Sequence, residues 1–375
     1  MPCVSRALII GGGIAGLASA IALARIGVEC EVFEKHDSKE GASIGILGRA
    51  ANALDDLGLY DLIYKAGTPF PHDTDVAAMR NSAGDLLSAG PPLPAWQDVK
   101  EGVGIYRPTL IRTMTKVALD LGVKIRQGVT FSKIDNQLKG VTLILTNGEQ
   151  RTGDILVGAD GIGSATREYL FPNGPVPEYT GQMSVRWMAP GPRVEGESWY
   201  MSPSGRLGFY YLPEDMVYVP SVFDGLDDKH LSDEDVYKLF SNLLESMTAP
   251  AIVELRNRLT PGANIIARPF RWILVPGVWH SNSSILIGDA AHATTAHMSM
   301  GGGMALEDAV VLAECIRDAG TVQEAFKTFM TRRLNRVSTV VQTSVKLSEL
   351  EQTKAEPTAN MELLGRAYAM LSEPY

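Results

Sequence analysis

Three glycine-bearing turns hold most of the residues that could do chemistry in this chain. In the first, Gly11, Gly13 and Gly16 keep a G-x-G-x-x-G spacing. Such a turn binds a pyrophosphate. Gly11 permits the tight bend, Gly13 lets the backbone approach the phosphates, and Gly16 lets the next helix lie close on its strand. Free N–H groups at the helix start favour the phosphate charge. Glu34 stands roughly 20 residues on, where an acid binds a ribose hydroxyl. A carboxylate there repels a 2′-phosphate, so an ordinary adenosine ribose is expected. Lys35 follows directly and joins the candidate binding set.

The other two turns each carry an aspartate: Asp160 in DGIGSATR, and Asp289 in GDAAHATTAHMSMGGG. Aspartate also caps turns, so either one alone fits a purely local role. A fourth group lies in GRLGFYYLPEDMVYV. Residues two apart on a strand share a face, so Arg206, Gly208 and Tyr210 point the same way. With a turn at Pro213 to Asp215, Tyr218 falls opposite Tyr210. An arginine and two phenols on one surface can stabilise an anion or remove a proton. Aromatics on a sheet also fill cores, and Tyr210 fits that reading as well.

The elements needed to place these groups are legible around them. Ala7 to Ile10 is an apolar run of the kind that fills a buried parallel strand. Apolar residues and alanines then recur at helical spacing from Ile14 to Ile26, Gly27 stops the helix, and Glu29 to Phe33 is a second strand. The uncharged stretch 7–24 approaches the roughly 17–25 residues of a membrane span. The glycine triplet would expose backbone in lipid, which argues against one; no cleavage region marks a signal peptide. Further on, Leu54, Leu57, Leu62 and Ile63 mark a helix pair. Asp75 to Leu87 reads as a hairpin turning at 81–84, and a Pro-rich link runs from Gly90 to Pro94. A helix from Thr109 to Leu121 follows Pro108. Then come a strand at Val123 to Gly128, a hairpin turning at Asn147-Gly148, and a buried strand from Ile155. Met183 to Asp224 reads as an antiparallel sheet rich in aromatics. Helices are expected at Ser232 to Met247, near Ala251 to Asn257 and at Met304 to Ile316, with a buried strand at Ser284. From Thr321 on the chain reads as helices; amphipathic Ser338 to Leu350 packs on the body or forms a dimer contact.

Composition bounds the function. The chain has 375 residues, 45% of them hydrophobic and 21% charged, which suggests roughly two globular domains. A net charge of −9 with no dense Lys/Arg run argues against nucleic-acid and anionic-membrane partners. Three cysteines are too few for a disulfide framework, and the six histidines lack metal-ligand spacing, so no metal is expected. A reducing cytoplasm is the natural setting.

Taken in order, the three turns resemble the signatures of flavin-dependent aromatic hydroxylases, the p-hydroxybenzoate hydroxylase family, over roughly Ala7 to Cys315. The resemblance implies an α/β chain: a Rossmann-like FAD-binding domain with an inserted antiparallel-sheet substrate domain and C-terminal helices. The FAD domain would take 1–72, 101–180 and 271–320; the substrate domain would take a hairpin at 73–100 and the sheet at 181–270; the helices would take 321–375. It places Gly11, Gly13, Ala15, Gly16 and Glu34 on the ADP part of FAD, and Arg107 on the pyrophosphate. Asp160 would order the pyrophosphate region and the passing nicotinamide cofactor. Asp289 would lie on the ribityl chain and Arg49 near the flavin, with Gly301 and Gly302 at its pyrimidine edge. Ala296 stands where the family usually has proline, which leaves that loop less rigid. NADH or NADPH would reduce the flavin, and O₂ would form a C4a-hydroperoxide that hydroxylates a phenol or similar heteroaromatic. Arg206 and Tyr218 resemble the pair that urate-hydroxylating members use, while His297 replaces an acid there and could act as a base. His292 reads as structural, satisfied by backbone. The flavin halogenase motif W-x-W-x-I-P is absent, and no thioredoxin-like domain is expected after the last helices. An FAD-containing reductase or dehydrogenase, or a non-catalytic flavoprotein, remains open, as does monomer versus homodimer.

Overall fold

The structure, a computed structural model, describes residues 2–36, 41–70, 78–89, 98–354 and 357–375. The Gly90 to Pro94 link, His72 and the first residues of the hairpin expected from Asp75 lie outside the described residues.

A six-stranded sheet organises the chain. Its order is His280–Ser281, Ser284–Leu286, Ile155–Gly158, Arg6–Ile10, Glu29–Glu34 and Lys124–Gln127. All neighbours are parallel except the first pair. Its central strands are apolar because both faces are covered: Ala7 to Ile9, Ile155 to Val157 and Ile285 to Leu286 are fully buried. Helices Ile14–Arg25 and Gly301–Asp318 pack on each other over this core, and Val322–Gln352 packs on the latter. Parallel strands share one direction, so the turns after Ile10, Gly158 and Leu286 emerge at the same edge. That is where ligands bind in open α/β sheets.

The second large sheet is mostly antiparallel. Its order is Ile265–Trp272, Glu178–Pro190, Met216–Asp224, Gly205–Gly208, Trp199–Ser202, Met79–Arg80 and Leu86–Ser88, with Tyr210–Leu212 also paired to Met216–Asp224. One face is a core: Val185, Trp187, Leu207, Phe209, Val217 and Val219 pack against helices Asp233–Glu245 and Pro250–Arg258. Alternation sends Arg186, Arg206, Tyr210 and Tyr218 to the other face. Strands Ser43–Ile46, Gly102–Tyr106 and Thr68–Phe70 form a three-stranded sheet, and Phe131–Gln137, Gly140–Leu145 and Gln150–Gly153 another.

Some elements differ from expectation and others match it. The helix expected from Met304 begins at Gly301. Its glycines allow close approach: a Cβ at Gly302 would lie 2.4 Å from Ile44 Cδ1, and one at Gly303 would lie 2.7 Å from Ala50 Cβ. Strand Ile265–Trp272 was not foreseen, because Pro269 argues against a strand interior; as an edge strand it tolerates proline. The expected helix pair is present as Arg49–Asp56 and Tyr60–Ala66, with Leu62 on its exposed side. Ser338 to Leu350 packs on the body: Val340, Val341 and Leu347 join the main core.

Candidate active site

The first turn has the geometry a dinucleotide requires. Gly11 has φ +105°, and a Cβ there would lie 2.3 Å from the Ala159 carbonyl oxygen. A Cβ at Gly16 would lie 1.9 Å from the Gly11 carbonyl oxygen, so only glycine lets helix meet turn. Gly13 is different: a Cβ there would meet nothing within 4 Å. The helix starts on Gly13 with no side-chain cap, which leaves its first N–H groups for an anion in that open space. The Glu34 carboxylate accepts from the Gly12 N–H at 2.6 Å and the His36 N–H at 2.7 Å, fixing it at the mouth of the turn. Lys35 is exposed beside it. Ala15 packs against the third turn; its Cβ lies 2.8 Å from where a Gly288 Cβ would stand.

The two aspartates divide. Asp160 accepts from the Thr166 N–H at 2.9 Å, the Thr166 hydroxyl at 3.0 Å and the Ser164 hydroxyl. Its carboxylate caps the start of helix Ala165–Leu170. Asp289 differs: among the described residues its carboxylate has no hydrogen bond and no ion pair. Its side chain is exposed. Surrounding protein pushes its carboxyl up, while His292 and Arg107 pull it down. Arg107 is exposed, and its guanidinium likewise has no hydrogen bond among the described residues. Among the described residues an unpartnered carboxylate and an unpartnered guanidinium therefore lie near enough to feel each other's charge. These features fit FAD: open space before uncapped N–H groups for the pyrophosphate, Arg107 for its charge, and Asp289 for a hydroxyl of the ribityl chain.

Beneath Asp289 lies a buried ionic network. Asp308 accepts from the Gly288 N–H at 2.9 Å, lies 2.6 Å from His292 Nε2, and accepts from Arg333 Nε at 2.8 Å. Glu307 in turn binds Arg333 and Arg336, each at 2.7 Å. His292 is thus satisfied by a carboxylate, not by backbone as expected. Desolvation alone would raise the Asp308 carboxyl, but His292 and Arg333 overcome it and hold it down at about 2. Arg49 donates from Nε to the Ser372 carbonyl at 2.9 Å, which ties it to the C-terminal segment. It also borders Ser299 and Met300 of the third turn.

The facing sheet brings the remaining candidates together in an unexpected way. His297 lies 2.7 Å from the Thr295 hydroxyl through Nδ1, and 2.8 Å from Glu351 Oε2 through Nε2. Arg206 is ion-paired to that same Glu351 oxygen. Desolvation works against the Glu351 carboxylate, but His297 and Arg206 hold it below its usual range. Gly301 and Gly302 open the helix after Met300, next to Ser299, whose φ is +53°, and no side chain caps that helix. Tyr210 and Tyr218 are register partners, with rings 5.1 Å apart and edge-on. Tyr210 lies 3.3 Å from the Ser43 hydroxyl and packs edge-on against Phe70. Tyr218 has no hydroxyl partner among the described residues; burial pushes its phenol up to about 12, with Arg186 pulling the other way.

Two residues escaped the sequence reading. Glu351 stands at the end of a long helix with no motif around it, and only the fold brings it to the site. Arg186 left a faint signal, a lone cation alternating with Val185 and Trp187 in an apolar strand.

Residues 5–344 match the FAD binding domain family. The chain belongs to this family, and it is an FAD-dependent monooxygenase. It is 29% identical to the aurachin C monooxygenase/isomerase of Stigmatella aurantiaca, across 92% of this chain and 89% of that one. It is 28% identical to the FAD-dependent urate hydroxylase of Klebsiella oxytoca, across 90% of this chain and 88% of that one. The crystal structure of Klebsiella pneumoniae HpxO complexed with FAD and uric acid shares the fold, with a TM-score of 0.78 at 23% identity over 98% of this chain and 93% of that one. Among the described residues no helix is long and apolar enough to cross a membrane, and no side-chain group could hold a metal ion.

Proposed function

We propose that this enzyme hydroxylates a small, electron-rich aromatic or heteroaromatic ring held between the third glycine turn and the sheet face that carries Tyr210 and Tyr218. The observation that carries this reading is the placement of Tyr218 and Tyr210 on one sheet face, away from the apolar core that the same strands build. The named activity of the Klebsiella oxytoca relative, on urate, supports a small heteroaromatic. Bound FAD, reduced by NADH or NADPH, would activate O₂ and supply the oxygen atom.

The chain's own groups then bind, orient and shield. Gly13 and the uncapped helix start would hold the pyrophosphate, Glu34 the adenosine ribose, and Lys35 would flank it. Arg107 would answer the pyrophosphate charge and Asp289 would accept from a ribityl hydroxyl. N–H groups at Gly301 and Gly302 would serve the flavin pyrimidine, where negative charge is favoured. Asp160 shapes the second turn through its cap, and Arg49 braces the third through the C-terminal segment. Tyr218, neutral at physiological pH, donates from its hydroxyl to the substrate, and Tyr210 packs beside it. Arg206 and His297 act together through Glu351, and His297 is the group placed to move a proton. Regions 1–72, 101–180 and 271–320 hold the cofactor in this reading; 73–100 and 181–270 hold the substrate, and 321–375 brace both. The three free cysteines suit a reducing compartment such as the cytoplasm.

The test is NAD(P)H oxidation by FAD-loaded protein across phenols, pyridines and purines, with product analysis. Ring-dependent oxidation with a hydroxylated product is expected. Oxidation indifferent to every ring would instead fit a reductase.

A further inference from the structure

Thr295 holds an N-cap position without capping. Where Ser164, Ser232 and Thr321 start helices, each hydroxyl accepts from the backbone N–H three residues on, the ordinary use of such a residue. Thr295 precedes the short 3₁₀ helix Ala296–Met298 and makes no such bond. Its hydroxyl turns instead to His297 Nδ1, 2.7 Å away, and has no other hydrogen-bond partner among the described residues. Both groups are shielded: Thr295 is 2% exposed and the His297 side chain 4%.

The other side of the ring fixes which way this bond runs. His297 Nε2 lies 2.8 Å from Glu351 Oε2. That oxygen is also ion-paired to Arg206 and accepts from Gln182 Nε2 at 3.4 Å. Desolvation works against this carboxylate, but His297 and Arg206 hold it below its usual range. An ionised carboxylate only accepts, so Nε2 carries the hydrogen. A neutral imidazole then has its lone pair at Nδ1, and the Thr295 hydroxyl donates to it. Both ring nitrogens are thus engaged inside the protein, which leaves a substrate no direct path to either. The Thr295 oxygen keeps lone pairs that no described group uses. It belongs to the third glycine turn, which meets the sheet here: His297 packs edge-on against Phe270, with ring centroids 5.4 Å apart.

We propose that Thr295 is a catalytic residue: its hydroxyl takes the acidic O–H or N–H proton of the substrate while passing its own proton to His297 Nδ1, with Glu351 as the positioning residue. This rests on the hydroxylase reading above. The substrate's O–H or N–H bond breaks, and its electron pair stays on the ring system, which is left richer in electrons for oxygen transfer. At Thr295 one O–H bond forms as another breaks, and one N–H bond forms at Nδ1. The imidazolium so made faces Glu351, whose charge stabilises it. Arg206, with Asp224 4.0 Å from it, completes the charged groups around that carboxylate. Hydroxyl, imidazole and carboxylate in this order follow the logic by which an acid orients a base toward a hydroxyl.

The experiment reads the tautomer first and turnover second. FAD-loaded protein labelled with ¹⁵N-histidine is followed by NMR at mildly alkaline pH, with the His297 signals assigned by their loss in His297→Gln. The ring is expected as the Nε2–H tautomer. In Glu351→Gln the side chain donates as well as accepts, and that preference should weaken. NAD(P)H oxidation and product are then measured with phenol, 3-hydroxypyridine and urate. Thr295→Val keeps the shape and removes the hydroxyl; it should lower kcat about a hundredfold, with KM, FAD content and Tm near parental. Thr295→Ser should restore most of the rate. An Nδ1–H tautomer, a doubly protonated ring, an unchanged kcat or a loss of FAD or fold in Thr295→Val, or no recovery in Thr295→Ser each overturns the relay alone. Silence from all three rings in the parent protein would instead strike the hydroxylase reading, and the relay with it.

Discussion

His297 and Arg206 meet on a single carboxylate oxygen of Glu351, which joins the third glycine turn, the sheet and the C-terminal helix at one point. The Arg206 and Glu351 side chains are only 12% and 27% exposed, so solvent screens the pair weakly. A double-mutant cycle on Arg206→Ala and Glu351→Ala, followed by urea unfolding of FAD-loaded protein, should give a coupling of about 1–3 kcal/mol. A coupling near zero would mean the pair does not hold the two elements together.

Gly13 and Gly16 separate cofactor binding from folding. A Cβ at Gly16 has nowhere to go, 1.9 Å from the Gly11 carbonyl, so Gly16→Ala should lower Tm sharply or prevent folding. A Cβ at Gly13 meets no protein atom, so Gly13→Ala should fold with near-parental Tm as apoprotein. It should lose FAD affinity about tenfold or more, because the methyl occupies the pyrophosphate's space. Circular dichroism and FAD titration of both variants check this contrast.

Asp289 should favour the cofactor at the expense of the empty protein. Its carboxyl is raised by surrounding protein and has no partner among the described residues, so ionisation at neutral pH works against folding. Asp289→Asn should therefore leave apoprotein Tm unchanged or higher, and weaken FAD binding by roughly tenfold. A fall in apoprotein Tm would show that the carboxylate has a structural partner instead.

The Asp308 network predicts an acid limb of stability. The folded carboxyl sits at about 2, below its ordinary value of 3.8. A depressed carboxyl contributes stability that is fully present above about pH 4 and lost as pH falls toward about 2. The contribution is on the order of 2 kcal/mol. Asp308→Asn should remove this limb and also loosen the Gly288–Asp289 turn, raising the Kd for FAD. Unfolding curves from pH 6 to pH 2 for both proteins measure it.

Legibility followed sequence distance. The Gly11–Glu34 unit was readable because local spacing encodes it: strand, turn, helix and acid lie within one short stretch. The Tyr210–Tyr218 pairing was readable because a short turn and strict alternation fix a hairpin's register. The partners of Arg206, His297 and His292 were not, since Glu351 and Asp308 come from helices that only tertiary packing brings near. The start of the helix at Gly301 was hidden because glycine reads as loop, while here it serves close packing against Ile44 and Ala50.

The most direct test of the account is product formation by the purified, FAD-loaded protein given NADH or NADPH, O₂ and a small hydroxyaromatic or heteroaromatic compound. The account predicts NAD(P)H oxidation stimulated by that compound, with one oxygen atom from ¹⁸O₂ found in a ring hydroxyl of the product. Stimulated oxidation that yields only hydrogen peroxide with every ring tested, and no labelled product, would contradict it.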